Sequence, residues 1–167
     1  FGNGTDTTEA AFAMAQFGSG GIALDAQVLG GIGGGRDILS LHLGGETRAD
    51  LSGLGFVNWG TGDSVRIFGS IKDDTIIGSK VGDVIDGGFG NDTMVGGLGD
   101  DTYVVSEAGD QVIEAADEGI DLISTTLSSL TLSSNVENLT FAGTGSFTGI
   151  GNDLDNAVTG GGDSDTL

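Results

Sequence analysis

Cysteine and proline are absent from this chain, and only five of its 167 residues are lysine or arginine. Without cysteine there are no disulfides and no thiolate metal sites. Proline removes a backbone donor, so its absence suits a chain whose N–H groups are nearly all paired, whereas disordered glycine-rich chains usually carry it. A hydrophobic content of 37% and a mean hydropathy of +0.12 also argue against disorder. No run of eighteen apolar residues occurs, so no membrane-spanning helix is expected. There is one histidine, His42, and neither H-E-x-x-H nor G-x-S-x-G is present. In Leu39-Ser-Leu-His-Leu43, strand alternation puts His42 on the face opposite the leucines, as a surface residue rather than a base. The glycines from Gly30 to Gly35 lack the spacing of a dinucleotide loop and read as turn residues.

Basic residues are scarce and confined to one part of the chain. Twenty-five acids against five bases give a formal charge of −20. All five bases (Arg36, Arg48, Arg66, Lys72 and Lys80) fall in the first 80 positions, with nine acids. The other sixteen acids follow from Val81 onward, with no Lys or Arg among them. That block should resist compaction until divalent cations neutralise it, and its sign disfavours nucleic acid or anionic membrane as a partner.

What the chain has in abundance is glycine, 34 residues, and much of it is periodic. Residues 69 to 104 divide into four nine-residue units. They are Gly69-Ser-Ile-Lys-Asp-Asp-Thr-Ile-Ile77, Gly78-Ser-Lys-Val-Gly-Asp-Val-Ile-Asp86, Gly87-Gly-Phe-Gly-Asn-Asp-Thr-Met-Val95 and Gly96-Gly-Leu-Gly-Asp-Asp-Thr-Tyr-Val104. Each begins with Gly, has Asp at position six and a bulky apolar residue at position eight; the last two match G-G-x-G-x-D-x-U-x in full. A turn-prone front half and a β-prone back half describe half a coil of a solenoid, with Ile76, Ile85, Met94 and Tyr103 pointing inward. Two units make a coil, so Asp74 stacks over Asp92 and Asp83 over Asp101.

Carboxylates stacked at about the 5 Å strand spacing repel unless a cation lies between them. Calcium suits the gap, because it takes six to eight hard oxygen ligands with loose geometry. One further unit, Val105 to Ile113, keeps the register and puts Asp110 at position six, eighteen residues after Asp92.

These units resemble the repeats-in-toxin, or hemolysin-type, calcium-binding β-rolls. The resemblance implies an all-β parallel β-roll, a β-helix solenoid with ions held between turns n and n+2. It also implies the ligands: the position-six Asp and loop carbonyls from positions one to four. Carried over, these are Asp92 and Asp101 with the carbonyls of Gly88, Gly90, Gly97 and Gly99. Asp74 and Asp83 match at position six, and Asp110 proposes a further site. Ser70, Lys72, Ser79 and Val81 depart from the loop pattern, so weaker or incomplete sites are expected there.

The chain divides on this reading into an N-terminal β-rich solenoid or cap at 1–63, a calcium roll at 64–113 and a solenoid continuation at 114–167. Residues 10–17 suit a helix behind a capping box or a strand equally well. Strand-like text covers 38–43, 49–57 and 64–68, then 111–113, 121–126, 137–141 and 157–159. Trp59 reads as a plug at a coil edge. Asn156 and Asp165 fall at position six of successive units, as if a second roll starts there, and Leu167 at position eight suggests a piece of a longer protein. The segment reads as non-enzymatic, because the acids that repeat are taken up by the cation geometry rather than by an acid pair for glycoside chemistry. The expected function is a calcium-folded structural module of a large secreted or cell-surface bacterial protein. The alternative is the non-catalytic carrier or secretion module of a secreted enzyme of metalloprotease, lipase or alginate epimerase type. Expected partners are calcium ions and an extracellular glycan or surface protein.

Overall fold

The computed structural model describes residues 22–23, 28–30, 38–57, 59 and 62–167, and every regular element among them is a strand. In chain order these are β1 (Ile22–Ala23), β2 (Val28–Gly30), β3 (Ile38–His42), β4 (Arg48–Asp50), β5 (Gly55–Val57), β6 (Ser64–Ser70), β7 (Thr75–Ile77) and β8 (Asp83–Gly88). There follow β9 (Thr93–Val95), β10 (Thr102–Val105), β11 (Gln111–Ile113), β12 (Leu122–Thr125), β13 (Ser129–Thr131), β14 (Asn138–Phe141), β15 (Thr148–Ile150) and β16 (Ala157–Thr159). The expectation for residues 10–17 lies outside the described residues.

Consecutive strands go to opposite walls of a parallel solenoid. One wall is a seven-stranded sheet in the order β16-β14-β12-β10-β8-β6-β3; the facing wall is β1-β4-β7-β9-β11. Two smaller parallel pairs, β2 with β5 and β13 with β15, complete the coils at either end.

Coil length changes along the axis. Val28 pairs with Gly55, Arg48 with Thr75 and Ile38 with Ser64, so the first coils take 26 or 27 residues and carry three strands each. In the repeat, Val65 pairs with Asp83, Val84 with Thr102 and Thr93 with Gln111, a constant eighteen with two strands per coil. Three nonapeptide lengths have become two, and the coil has lost one side. Beyond the repeat, the spacing is twenty from Thr102 to Leu122, sixteen from Leu122 to Asn138 and nineteen from Asn138 to Ala157.

A single core runs the length of the axis. Ile76, Ile85, Met94 and Tyr103 are fully buried, as the position-eight rule requires, and Val112, Ile123 and Leu139 continue the column. In the wider coils, Leu39, Leu41, Leu43, Leu51 and Leu54 fill the larger interior. The text 49–57 forms two strands rather than one, because a turn closed by Leu54 N–H to the Leu51 carbonyl (2.9 Å) rounds a corner of the three-sided coil. Trp59 packs on Phe56 at 4.6 Å between ring centroids and lies against the core. His42 is exposed and stacks on Phe68, its neighbour one coil on.

Candidate metal centre

The turns between strands carry the acids. Asp74, Asp92 and Asp110 precede β7, β9 and β11 on one edge of the roll; Asp83, Asp101 and Asp121 stand at the start of β8 or just before β10 and β12 on the other. Each edge forms a ladder, in which the backbone N–H of one aspartate donates to a carboxylate oxygen in the next coil. On the first edge, Asp74 N donates to Asp92 Oδ1 (2.8 Å) and Asp92 N to Asp110 Oδ1 (3.1 Å). On the second, Asp83 N donates to Asp101 Oδ1 (2.7 Å) and Asp101 N to Asp121 Oδ1 (2.9 Å). The structure thus brings Asp74, Asp92 and Asp110 together, and Asp83 with Asp101, in the register the repeat spacing dictates.

The four loop glycines lie where only glycine fits. Gly88, Gly90, Gly97 and Gly99 have φ of 88°, 119°, 97° and 118°, in the left-handed region. Each loop also sits directly on the loop eighteen residues earlier. A Cβ on Gly90 would lie 2.6 Å from the backbone carbon of Lys72, and one on Gly99 2.6 Å from that of Val81. The two full-consensus loops therefore nest on the two divergent ones. The Gly88 carbonyl accepts the Ser106 hydroxyl of the following coil at 3.0 Å, which leaves one lone pair free.

The divergent loops differ from the consensus loops electrostatically. Ser70 donates to Asp74 through both its N–H (2.5 Å) and its hydroxyl (3.2 Å), and Ser79 does the same for Asp83 at 2.5 and 2.8 Å. In both serine loops it is the serine N–H that satisfies Oδ2, whereas in the first consensus loop the Gly88 N–H is turned to Asp86 Oδ1 at 3.1 Å. Correspondingly, Asp92 Oδ2 and Asp101 Oδ2 are buried without a hydrogen-bond partner, and both side chains are almost wholly enclosed. Burial pushes the Asp92 carboxyl up to about 6, aided by the charges of Asp110 and Asp74, and Asp101 up to about 9, aided by Asp83. Asp83 also rises, to about 7, by burial, with the Ser79 hydrogen bonds opposing. Among the described residues no ion pair reaches these aspartates, and Lys72 Nζ is turned to the Gly45 carbonyl at 2.7 Å.

Such orphaned, buried carboxylate oxygens are costly unless protonated or bound to a cation. An all-oxygen donor set of carboxylates and loop carbonyls, with no His or Cys, fits calcium among the biological cations. The residues present therefore fit the ion that the repeat implies.

Two buried acids beyond the repeat complete the second edge. Asp121 follows Asp101 by twenty residues, and the two extra residues in its turn hid it from an eighteen-residue count. Its own N–H donates to Glu137 Oε2 at 2.8 Å. Glu114 stands at position one of its unit, where Gly78 and Gly96 stand in earlier coils, and it accepts the Tyr103 hydroxyl through Oε1. The signal available in the sequence was a glutamate replacing a repeat glycine. Past the repeat both kinds of contact recur singly: Phe147 N donates across coils to Asp165 Oδ1 at 2.8 Å, and Asn152 N donates within its own loop to Asn156 Oδ1 at 2.8 Å.

Residues 68–103 match the family model of the RTX calcium-binding nonapeptide repeat, in four copies. These residues are RTX nonapeptide repeats, and they form part of the parallel β-solenoid. A stretch of 65 residues is 43% identical to the endo-1,3-1,4-beta-glycanase ExsH of Rhizobium meliloti (strain 1021), covering 39% of this chain and 14% of the relative's length. No solved structure matches the chain.

Proposed function

We propose that this RTX segment is a calcium-folded structural module of a secreted or cell-surface protein. Calcium ions lie in a row along each edge, held by Asp74, Asp92 and Asp110 on one and by Asp83 and Asp101 on the other. The loop carbonyls of Gly88, Gly90, Gly97 and Gly99 contribute further ligands, and the calcium-bearing part spans 64–113. The observation that carries this reading is the contrast between the two kinds of loop. Where serine replaces glycine, the aspartate is satisfied from within the protein; where the consensus is complete, Asp92 and Asp101 each keep a buried oxygen with no partner.

The bound ion supplies positive charge between acidic turns, and everything else is done by the chain. Left-handed glycines let successive loops approach, the aspartate ladder sets the eighteen-residue register, and the apolar column closes between the two walls. Calcium titration followed by circular dichroism tests the reading. β structure and thermal stability should both rise at millimolar calcium and be lost in chelator. Identical spectra and melting curves with and without the ion would refute it.

A second reading has its own support. The glycanase relative aligns with 65 residues of this chain at 43% identity, which favours a non-catalytic carrier role beside a secreted enzyme's catalytic domain. The full reading frame on both sides decides between them: a catalytic domain in the same polypeptide selects the carrier role.

A further inference from the structure

Where the repeat ends, one edge of the roll gathers three acids from three places in the chain. Asp101 comes from the turn before β10, Glu114 from the residue after β11 and Asp121 from the turn before β12. One carboxylate oxygen of each lies within 4.8 Å of the others, and all three side chains are buried. The contact is possible because Gly96, one coil below Glu114, has no side chain. A Cβ there would strike both the Asp101 carboxylate and the Tyr103 hydroxyl.

Two oxygens in the cluster lack any partner. Asp101 Oδ2 and Glu114 Oε2 are both buried and unpaired, on side chains only 1% and 7% exposed. The other oxygens are engaged in ways that orient the set. Asp121 Oδ1 accepts Asp101 N–H, and Glu114 Oε1 accepts the Tyr103 hydroxyl. Asn135 Nδ2 holds the Glu114 carbonyl at 2.9 Å, fixing the backbone that carries the side chain. No lysine or arginine occurs after Lys80, and among the described residues no ion pair reaches the three carboxylates.

We propose that Asp101, Glu114 and Asp121 form a divalent-cation site, of calcium type, that closes the C-terminal end of the repeat. Two of its three ligands lie beyond the matched repeat: Glu114 at a glycine position of the register, and Asp121 two residues out of it. Three carboxylate oxygens this close can share one ion, and an all-oxygen set drawn from three separate turns suits calcium's loose coordination rather than magnesium's strict octahedron. With a carboxylate from each of three segments, the site ties β10, β11 and β12 together just where the facing wall ends at β11. This deepens the calcium reading above and rests on it for the folded roll.

Equilibrium dialysis of the full chain in millimolar calcium measures the number of ions bound. Glu114→Gln should bind one ion fewer than the parent while keeping its β spectrum, and Tyr103→Phe, which retains every carboxylate, should keep the parent's count. Asp92→Asn, on the opposite edge, should leave this site filled. Crystals of the parent soaked in terbium provide a measurement that does not depend on a variant folding. An anomalous peak among the three carboxylates supports the site, and a bare cluster beside occupied repeat loops overturns it. An unchanged ion count in Glu114→Gln overturns it as well, with the repeat reading left intact. A parent chain that binds no calcium at all overturns both.

Discussion

Replacing Asp92 with asparagine removes charge from the middle rung of one edge and leaves the shape almost unchanged. Asp92 lies between Asp74 and Asp110, with ladder contacts on both sides. In the proposed row of calcium ions it serves two adjacent sites. An extracellular calcium site with a dissociation constant of roughly 0.1–1 mM contributes about 0.6–1.8 kcal/mol at ~2 mM calcium by mass action. Weakening both sites then costs about 1–4 kcal/mol. In a domain of this size that lowers Tm by roughly 3–14 °C. In chelator the balance reverses. Asn Oδ1 still accepts Asp74 N–H, and its amide replaces a buried oxygen that has no partner in the parent. Burying an unpaired amide costs about 1–3 kcal/mol, less than an unpaired ionised carboxylate, so the variant should be no less stable than the parent without calcium. Asp117→Asn is the matched control. Asp117 is exposed, at φ 64°, a conformation asparagine accepts, and the change should be neutral within about 0.5 kcal/mol. Circular dichroism melts and calcium titrations of both variants, with and without chelator, read all of this. Equal calcium midpoints for the two would refute the register drawn through residues 69 to 113.

Gly90→Ala should destabilise the roll by about 1–3 kcal/mol in urea, since φ 119° and the Lys72 backbone both oppose a Cβ, whereas Gly45→Ala, with open space around it, should be neutral or slightly stabilising. The calcium-free chain should gain stability as pH falls. Asp83, Asp92, Asp101 and Glu114 have folded pKa values of about 7, 6, 9 and 7, all above the unfolded values near 4, so the native state holds more protons across that window. Stability in chelator should therefore be greatest near pH 4–5 and fall towards pH 9, and melts in chelator across that range check it. Because calcium competes with those protons, its apparent affinity should rise over the same interval, as titrations at pH 6 and pH 8 would read.

How much of this was legible in the sequence depends on periodicity. Between residues 69 and 113 one spacing sets the inward column, the two walls and the aspartate ladder, and all three were readable in advance. Strands with an apolar residue at the inward position were also readable, such as Ile123 in β12 and Leu139 in β14. β13 and β15 were not, because Ser129-Leu-Thr131 and Thr148-Gly-Ile150 are short, and their pairing is fixed by the coils around them rather than by alternation. The corner between β4 and β5 was missed because Leu51 and Leu54 look like strand residues, yet they turn inward to fill a three-sided coil. Asp121 escaped because its turn is two residues longer, and Glu114 because a buried glutamate at a glycine position is visible only once the coils are stacked.

The coil lengths bear on which insertions and deletions the chain can absorb. The loops at 87–92 and 96–101 are seated on those eighteen residues before them, and the strands between have only three to six residues in which to recover phase. A single added or lost residue there would exchange the two faces of the strand, exposing Ile85 or Met94 and driving a threonine or aspartate inward. The later turns have already varied, with spacings of twenty, sixteen and nineteen, while the seven-stranded wall continues unbroken through them. Length variation is thus free to accumulate at 115–120, 126–128 and 142–147. In the calcium-bearing stretch, growth or shortening should proceed by whole coils of eighteen.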